Sequence, residues 1–231
     1  MSGSWLIVKT PYYSAYQYSG GAVGVVLEPR ATDADPHNIP PQTTREPDAE
    51  GKVWYYEREN EENDKDWRKK LGEVIARQVV EQDVKRQRDQ WSGNPKTSIL
   101  FEFPVGYTLW VHYTQDRHVP RHDTYLYGSR TVNNFRSPAE FAEHLIWLMN
   151  GSAVDRDGNT LCRCVYCCPG RTQEEISAEL GVRRPSDKKE KRRSGQEEGS
   201  GSRPAGRRRK STVVTTIPAK DYTKLNTNPS T

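Results

Sequence analysis

Aromatic residues are distributed very unevenly along this 231-residue chain. Of its 22 Phe, Trp and Tyr residues, 21 precede residue 169 and only Tyr222 follows. Aromatic side chains supply much of the apolar area that a core buries, so the last 63 residues cannot build a core of their own. We expect the folded region to end near residue 181 and residues 182–231 to be a disordered tail.

The charge is segregated in the same way. The formal net charge is +4, but residues 182–210 contain twelve basic and four acidic side chains, which leaves −4 for the rest of the chain. A mildly acidic folded part excludes a uniformly basic nucleic-acid clamp. The basic residues form two clusters, Lys188–Arg193 and Arg207–Lys210. Two such clusters are typical of a nuclear-import signal and predict localisation in the nucleus; a merely solubilising tail is the alternative.

Membrane and secretion signals are missing from the sequence pattern. The longest apolar run, Gly20–Leu27, has eight residues, fewer than half of the ~18 that a membrane span needs. The N-terminus has no charged segment followed by an apolar stretch of signal-peptide length. We therefore expect an intracellular protein with no membrane partner.

Composition divides the chain into four segments. Residues 1–29 contain two short strand patterns around a Tyr- and Gly-rich turn and could pack on the main domain. Residues 30–50 contain four prolines and no aromatic residue, as in a linker or long loop. Residues 51–181, about 130 residues, are long enough for one hydrophobic core and form the predicted main domain. Residues 182–231 are the basic tail.

The main domain is predicted to be α+β. Apolar residues recur at helical spacing from Asp64 to Gln90, which predicts an amphipathic helix. Ser137, followed by Pro138 and a Glu three residues after the Ser, predicts a second helix that ends near Asn150. Three runs rich in β-branched and aromatic residues predict an antiparallel sheet: residues 99–104, 107–114 and 123–128. The expected fold is a small antiparallel sheet packed with two main helices and a zinc-knuckle-like cysteine cluster.

Four cysteines lie within seven positions, at Cys162, Cys164, Cys167 and Cys168. They are too close together to crosslink distant parts of a fold, and in a reducing compartment this spacing favours metal ligation. We predict zinc as the cofactor, bound by the first three cysteines and by His144, which the second helix directs inward. Cys168 is the alternative fourth ligand, and free buried thiols or a redox pair are the alternatives to a metal.

Enzyme signatures are not found in the sequence. It contains no Gly-rich phosphate-binding loop, no dinucleotide fingerprint, no H-E-x-x-H and no G-x-S-x-G. We therefore expect no enzyme, no catalytic residue and no organic cofactor. Two alternatives remain: a DNA- or RNA-binding zinc protein whose basic tail makes weak, sequence-blind phosphate contacts, and a thiol enzyme that uses Cys168 and His144.

A series of short motifs follows in order through the middle of the chain: Trp67–Gly72, Phe103–Trp110, Tyr125–Gly128, Phe135–Phe141 with His144, Trp147 and Leu148, and Cys162-x-Cys164-x-x-Cys167. Together they resemble the N-terminal domain of the fungal transcription-silencing proteins of the cryptic loci regulator 2 family. The resemblance covers residues 51–181, and Cys168 is an addition to the pattern. It implies a nuclear protein of heterochromatic gene silencing, acting as a non-catalytic scaffold or binding module. The implied partners are protein subunits of a complex that carries a histone deacetylase and a chromatin remodeller.

Overall fold

The computed structural model describes residues 3–87, 90–114 and 121–182, and for Arg121 and His122 it describes the backbone alone. The predicted basic tail from residue 183 onward lies outside the described residues. Within them, no helix is both long enough and apolar enough to cross a membrane. The elements are β1 (Ser4–Lys9), β2 (Tyr13–Tyr18), β3 (Val23–Leu27), β4 (Trp54–Arg58), α1 (Glu61–Ile75), α2 (Glu81–Arg86), β5 (Ile99–Leu100), β6 (Thr108–Thr114), β7 (Arg121–Tyr127), α3 (Pro138–Met149) and α4 (Gln173–Glu179).

The strands form two sheets. The first has the order β1-β2-β3-β5; its pairs are antiparallel except β3 and β5, which run parallel with Val25 opposite Leu100. The second is antiparallel with the order β4-β6-β7, so that Trp110 pairs with Arg58 on one side and Tyr125 on the other. The predicted α+β class with a small antiparallel sheet is confirmed.

One of the three segments that were predicted to form this antiparallel sheet does not belong to it. Of residues 99–104, only Ile99–Leu100 forms a strand, and it belongs to the first sheet. The chain then turns, because Pro104 has no N–H for a ladder and its carbonyl accepts the N–H of Tyr107 at 2.9 Å. The third strand of the second sheet is instead β4. The sequence did not predict β4, because its five-residue pattern is short and lies between a Pro-rich stretch and a charged helix.

The first predicted helix is observed with different boundaries and an interruption. It begins at Glu61, earlier than Asp64, because the side chain of Asn60 accepts the N–H of Asn63 at 3.0 Å. One π-helical turn, Ala76–Val80, separates α1 from α2, where the sequence predicted a continuous helix to Gln90. The apolar residues of its predicted inward face are all buried: Trp67, Leu71, Val74, Ile75 and Val79.

The second main helix, α3, is confirmed. Ser137 Oγ accepts the N–H of Glu140 at 3.3 Å, and Gly151 ends the helix with a φ of 84°. The inward face of α3 buries Phe141, Leu145 and Leu148 in a core shared with α1. This face also carries His144, which is completely buried.

Candidate metal centre

Four side chains converge at the inner face of α3. One potential ligand atom each from His144, Cys162, Cys164 and Cys167 lies within 4.8 Å of the other three. His144 Nδ1 is 3.4 Å from the sulfur of Cys162, 3.9 Å from that of Cys164 and 3.7 Å from that of Cys167. The structure thus brings together the four residues that the sequence predicted as ligands.

The distances between these atoms fit a tetrahedral ion. Zinc binds thiolate sulfur at about 2.3 Å and imidazole nitrogen at about 2.0–2.1 Å, so tetrahedral angles place the nitrogen about 3.6 Å from each sulfur. The three observed distances, 3.4, 3.9 and 3.7 Å, bracket that value. The cluster could therefore hold one divalent ion with little rearrangement.

The cysteine loop is shaped by its own backbone. The N–H of Cys168 donates to the carbonyl of Cys164 at 3.0 Å, and the N–H of Cys167 donates to the sulfur of Cys164 at 3.4 Å. This tight turn directs the sulfurs of Cys164 and Cys167 to one side of the loop. Cys162 enters from the preceding extended residues, with its N–H held by Thr160 Oγ1 at 3.1 Å.

Aromatic rings enclose the histidine. The ring centres of Phe135 and Trp147 are each 5.1 Å from that of His144, and that of Phe141 is 6.0 Å away. Cys162 and Cys164 are 3% and 0% exposed, whereas Cys167 is half-buried at the edge. A largely water-free site strengthens the electrostatic attraction between thiolates and a cation.

The groups of the cluster shift one another's pKa. Hydrogen bonds with Cys162 and Cys164 lower the pKa of the Cys167 thiol far below its ordinary value. Hydrogen bonds with Cys164 and Cys167, together with burial, raise the pKa of Cys162. Burial alone would lower the pKa of His144, but hydrogen bonds with Asp33 and with two of the sulfurs raise it to about 10. Because metal ligation replaces such protons, a cluster that already favours a thiolate is suited to a divalent cation.

The far nitrogen of His144 has polar partners of its own. Nε2 lies 3.2 Å from Tyr107 Oη and 3.4 Å from Asp33 Oδ1. The Asp33 carboxylate also accepts the hydroxyl protons of Tyr107 and Ser129. Burial alone would raise the pKa of Asp33, but the hydrogen bond with His144 and those from Tyr107 and Ser129 outweigh it and hold the pKa below its ordinary value. Asp33 is therefore an anion beneath the histidine.

The region around this centre also has a recognisable sequence. Residues 98–167 match the family model of the transcription-silencing protein, cryptic loci regulator Clr2. No curated protein and no solved structure matches the chain. The family match confirms the resemblance for just under a third of the chain, and the matched region contains all four donor residues.

Cys168, the alternative fourth ligand, is not one of the four converging residues. Its side chain is half-buried, and it follows the turn that directs Cys164 and Cys167 toward His144. The pattern C-x-C-x-x-C, without the extra cysteine, accounts for the three sulfurs that converge.

Sequence reasoning missed the three residues behind the histidine: Asp33, Tyr107 and Ser129. Tyr107 lies in the matched region and in a motif of the family resemblance, but its sequence neighbours give no sign of a contact with His144. Asp33 precedes the matched region and lies within a Pro-rich stretch without periodicity. Nothing in the local sequence pattern could have linked it to a helix 111 positions away.

Proposed function

We propose that residues 3–182 form a zinc-stabilised, non-catalytic binding module of a nuclear transcription-silencing protein. The observation that carries the proposal is the convergence of His144, Cys162, Cys164 and Cys167 within a region that matches a family of transcription-silencing proteins. The family match supports a role in transcription silencing, and the four donor residues support a metal ion that stabilises the fold.

Zinc is the metal that this donor set suits best. Thiolate and imidazole ligands in a tetrahedral arrangement are typical of Zn²⁺, whereas Mg²⁺ and Ca²⁺ prefer oxygen ligands in larger numbers. Structural zinc contributes about 10–16 kcal/mol of apparent binding free energy in small zinc-finger peptides. The net stability of a whole domain is only about 5–15 kcal/mol. Zinc would therefore decide whether α3 and the cysteine loop remain joined.

A structural role fits a centre with four protein ligands. Catalytic zinc sites keep one position open for water or substrate, and a tetrahedral ion bound by His144 and three cysteines has none. In this proposal the chain acts by binding other proteins, as a scaffold among the subunits of a heterochromatin-silencing complex that contains a histone deacetylase and a chromatin remodeller. The basic clusters Lys188–Arg193 and Arg207–Lys210 direct it to the nucleus.

A second candidate function rests on the basic stretch itself. Twelve basic and four acidic side chains over residues 182–210 could bind nucleic-acid phosphates in a salt-sensitive and sequence-independent manner. The chain would then be a DNA- or RNA-binding zinc protein. Binding of DNA or RNA by the full chain that is lost on deletion of residues 183–231 would favour this function, whereas a full chain that binds neither would contradict it.

Silencing of a reporter gene tests the proposed function. In cells whose silent reporter depends on this chain, Cys164→Ser should derepress the reporter and abolish co-purification of the partner subunits. Cys168→Ser, which changes a sulfur outside the converging set, should leave both unchanged. Immunoblots should establish that both variants reach the nucleus in comparable amounts. Full silencing by a normally abundant Cys164→Ser protein would contradict the proposal.

A further inference from the structure

The segment before the matched region reaches the back of the metal centre. Asp33 Oδ1 lies 3.4 Å from His144 Nε2, on the side of the ring opposite to the sulfurs. The Asp33 side chain is 9% exposed, and Ser129 Oγ donates to its other oxygen at 2.9 Å. A carboxylate buried to this degree beside a histidine needs such hydrogen bonds, because an unpaired buried charge is costly.

We propose that Asp33 is a positioning residue of the metal centre: it holds His144 in the tautomer that carries its proton on Nε2 and so leaves Nδ1 free to bind the metal. The inference rests on the proposed metal binding and extends it to a residue outside the family match. A neutral imidazole has one N–H, and only the nitrogen without it can donate a lone pair. Nδ1 is the atom that faces the three sulfurs.

Asp33 can serve this role because its backbone is fixed on both sides. The N–H of Arg130 donates to the carbonyl of Asp33 at 3.1 Å, and the N–H of Asp35 donates to the carbonyl of Gly128 at 2.8 Å. Thr32 Oγ1 donates to the carbonyl of Val105 at 2.7 Å. The carboxylate is therefore presented to His144 by a segment attached to two loops of the main domain.

The tyrosine beside Asp33 completes the arrangement. Tyr107 Oη donates to Asp33 Oδ1 and lies 3.2 Å from His144 Nε2. Its ring packs on Phe141, with the ring centres 5.3 Å apart. The hydroxyl and the carboxylate thus meet the histidine proton from one side. Partners of this kind fix the ring orientation of a metal ligand, and their loss costs about 10–100-fold in metal affinity.

The test compares two aspartates of the same segment in the full chain. Asp33→Asn keeps the shape of the side chain but removes its charge, and it should weaken zinc binding about 10–100-fold in competition with a chromophoric chelator. Asp35→Asn is the matched control. Among the described residues, Asp35 Oδ1 accepts only the exposed N–H of His37, so the zinc affinity of this variant should equal that of the wild type. Equal zinc affinity in Asp33→Asn and wild type would overturn the proposal.

A measurement on the wild type covers the case in which Asp33→Asn does not fold. With zinc bound, ¹⁵N spectra of the His144 ring should show a slowly exchanging proton on Nε2 and a metal-bound Nδ1. A metal-bound Nε2 would overturn the proposed role of Asp33 and leave the zinc site standing. A wild-type chain that binds no zinc would instead overturn the metal centre and this inference together.

Discussion

Cys164 and Cys168 lie four residues apart, yet they differ in each property that bears on metal binding. The sulfur of Cys164 is fully buried, lies 3.9 Å from His144 Nδ1 and accepts the N–H of Cys167. Cys168 is half-buried and is held through its backbone N–H rather than its sulfur. Two cysteines of one loop therefore provide a candidate ligand and a natural control.

Cys164→Ser should destabilise the fold strongly. The hydroxyl binds zinc much more weakly than a thiolate, and loss of a structural metal is among the mutations that cost more than about 4 kcal/mol. Thermal unfolding followed by circular dichroism should lose its cooperativity in Cys164→Ser and keep it in Cys168→Ser. Equal melting curves for the two variants would show that the sulfur of Cys164 has no structural role.

The convergence of the four candidate ligand residues could be predicted from the sequence because their geometry is largely local. Three sulfurs come from six consecutive positions, and His144 follows from the helical spacing that buries Phe141 and Leu148 on the same face. Asp33 could not be predicted, because its contact with His144 exists only after two distant loops have closed around its segment. The spacing of residues in the sequence can therefore predict candidate ligands that lie in one loop. It cannot predict residues that only the tertiary structure brings next to them.

At the scale of elements, α1 approaches the first sheet through a glycine. A Cβ added at Gly72 would overlap the backbone N, Cα and C atoms of Ile99 in β5. Backbone atoms of a paired strand cannot move aside as a flexible side chain can, so this position requires glycine within a helix. The close contact explains why a residue with poor helix propensity stands in the last turn of α1.

Gly72→Ala should therefore destabilise the protein, although Ala is the better helix former by about 1 kcal/mol. Overpacking at a rigid contact costs about 1–3 kcal/mol, which outweighs the gain in propensity. Urea unfolding should show this loss, whereas Lys70→Ala, an exposed change in the same helix, should alter the free energy of unfolding by less than about 0.5 kcal/mol. A Gly72→Ala protein more stable than the wild type would contradict the observed packing.

Individual helices were easier to predict than strand partners. The Ser137 cap and the Pro138 that follows it act within one turn, so the start of α3 can be read from neighbouring residues. Strand pairing joins residues that are distant in the sequence: β5 pairs with β3 rather than with β6, and β4 pairs with β6. Hydrophobic patterns identify candidate strands, but the choice of partner depends on the whole packing arrangement.

At the scale of the whole molecule, the N-terminal strands contribute to the same core as the main helices. Tyr13 and Val25 are buried with Leu71 of α1 and Leu145 of α3. The parallel pairing of β3 with β5 joins these strands to the chain immediately after residue 98. The core therefore extends well beyond the region that matches the family.

Two truncations test this extent. A chain that begins at residue 51 lacks Asp33 and the buried residues of β2 and β3, so we expect it to unfold without a cooperative transition. A chain that ends at residue 182 retains every buried residue described in the structure and should unfold with the wild-type midpoint. If the chain that begins at residue 51 unfolds cooperatively with an unchanged midpoint, the first 50 residues are dispensable for the core.

The metal content and ligand set of the purified chain test the central claim most directly. Elemental analysis combined with X-ray absorption at the zinc edge should give one zinc per chain, bound by three sulfurs at about 2.3 Å and one nitrogen at about 2.0–2.1 Å. Removal of the metal with a chelator should abolish cooperative unfolding. A chain that is purified without metal, takes up none and is equally stable with chelator would contradict the account.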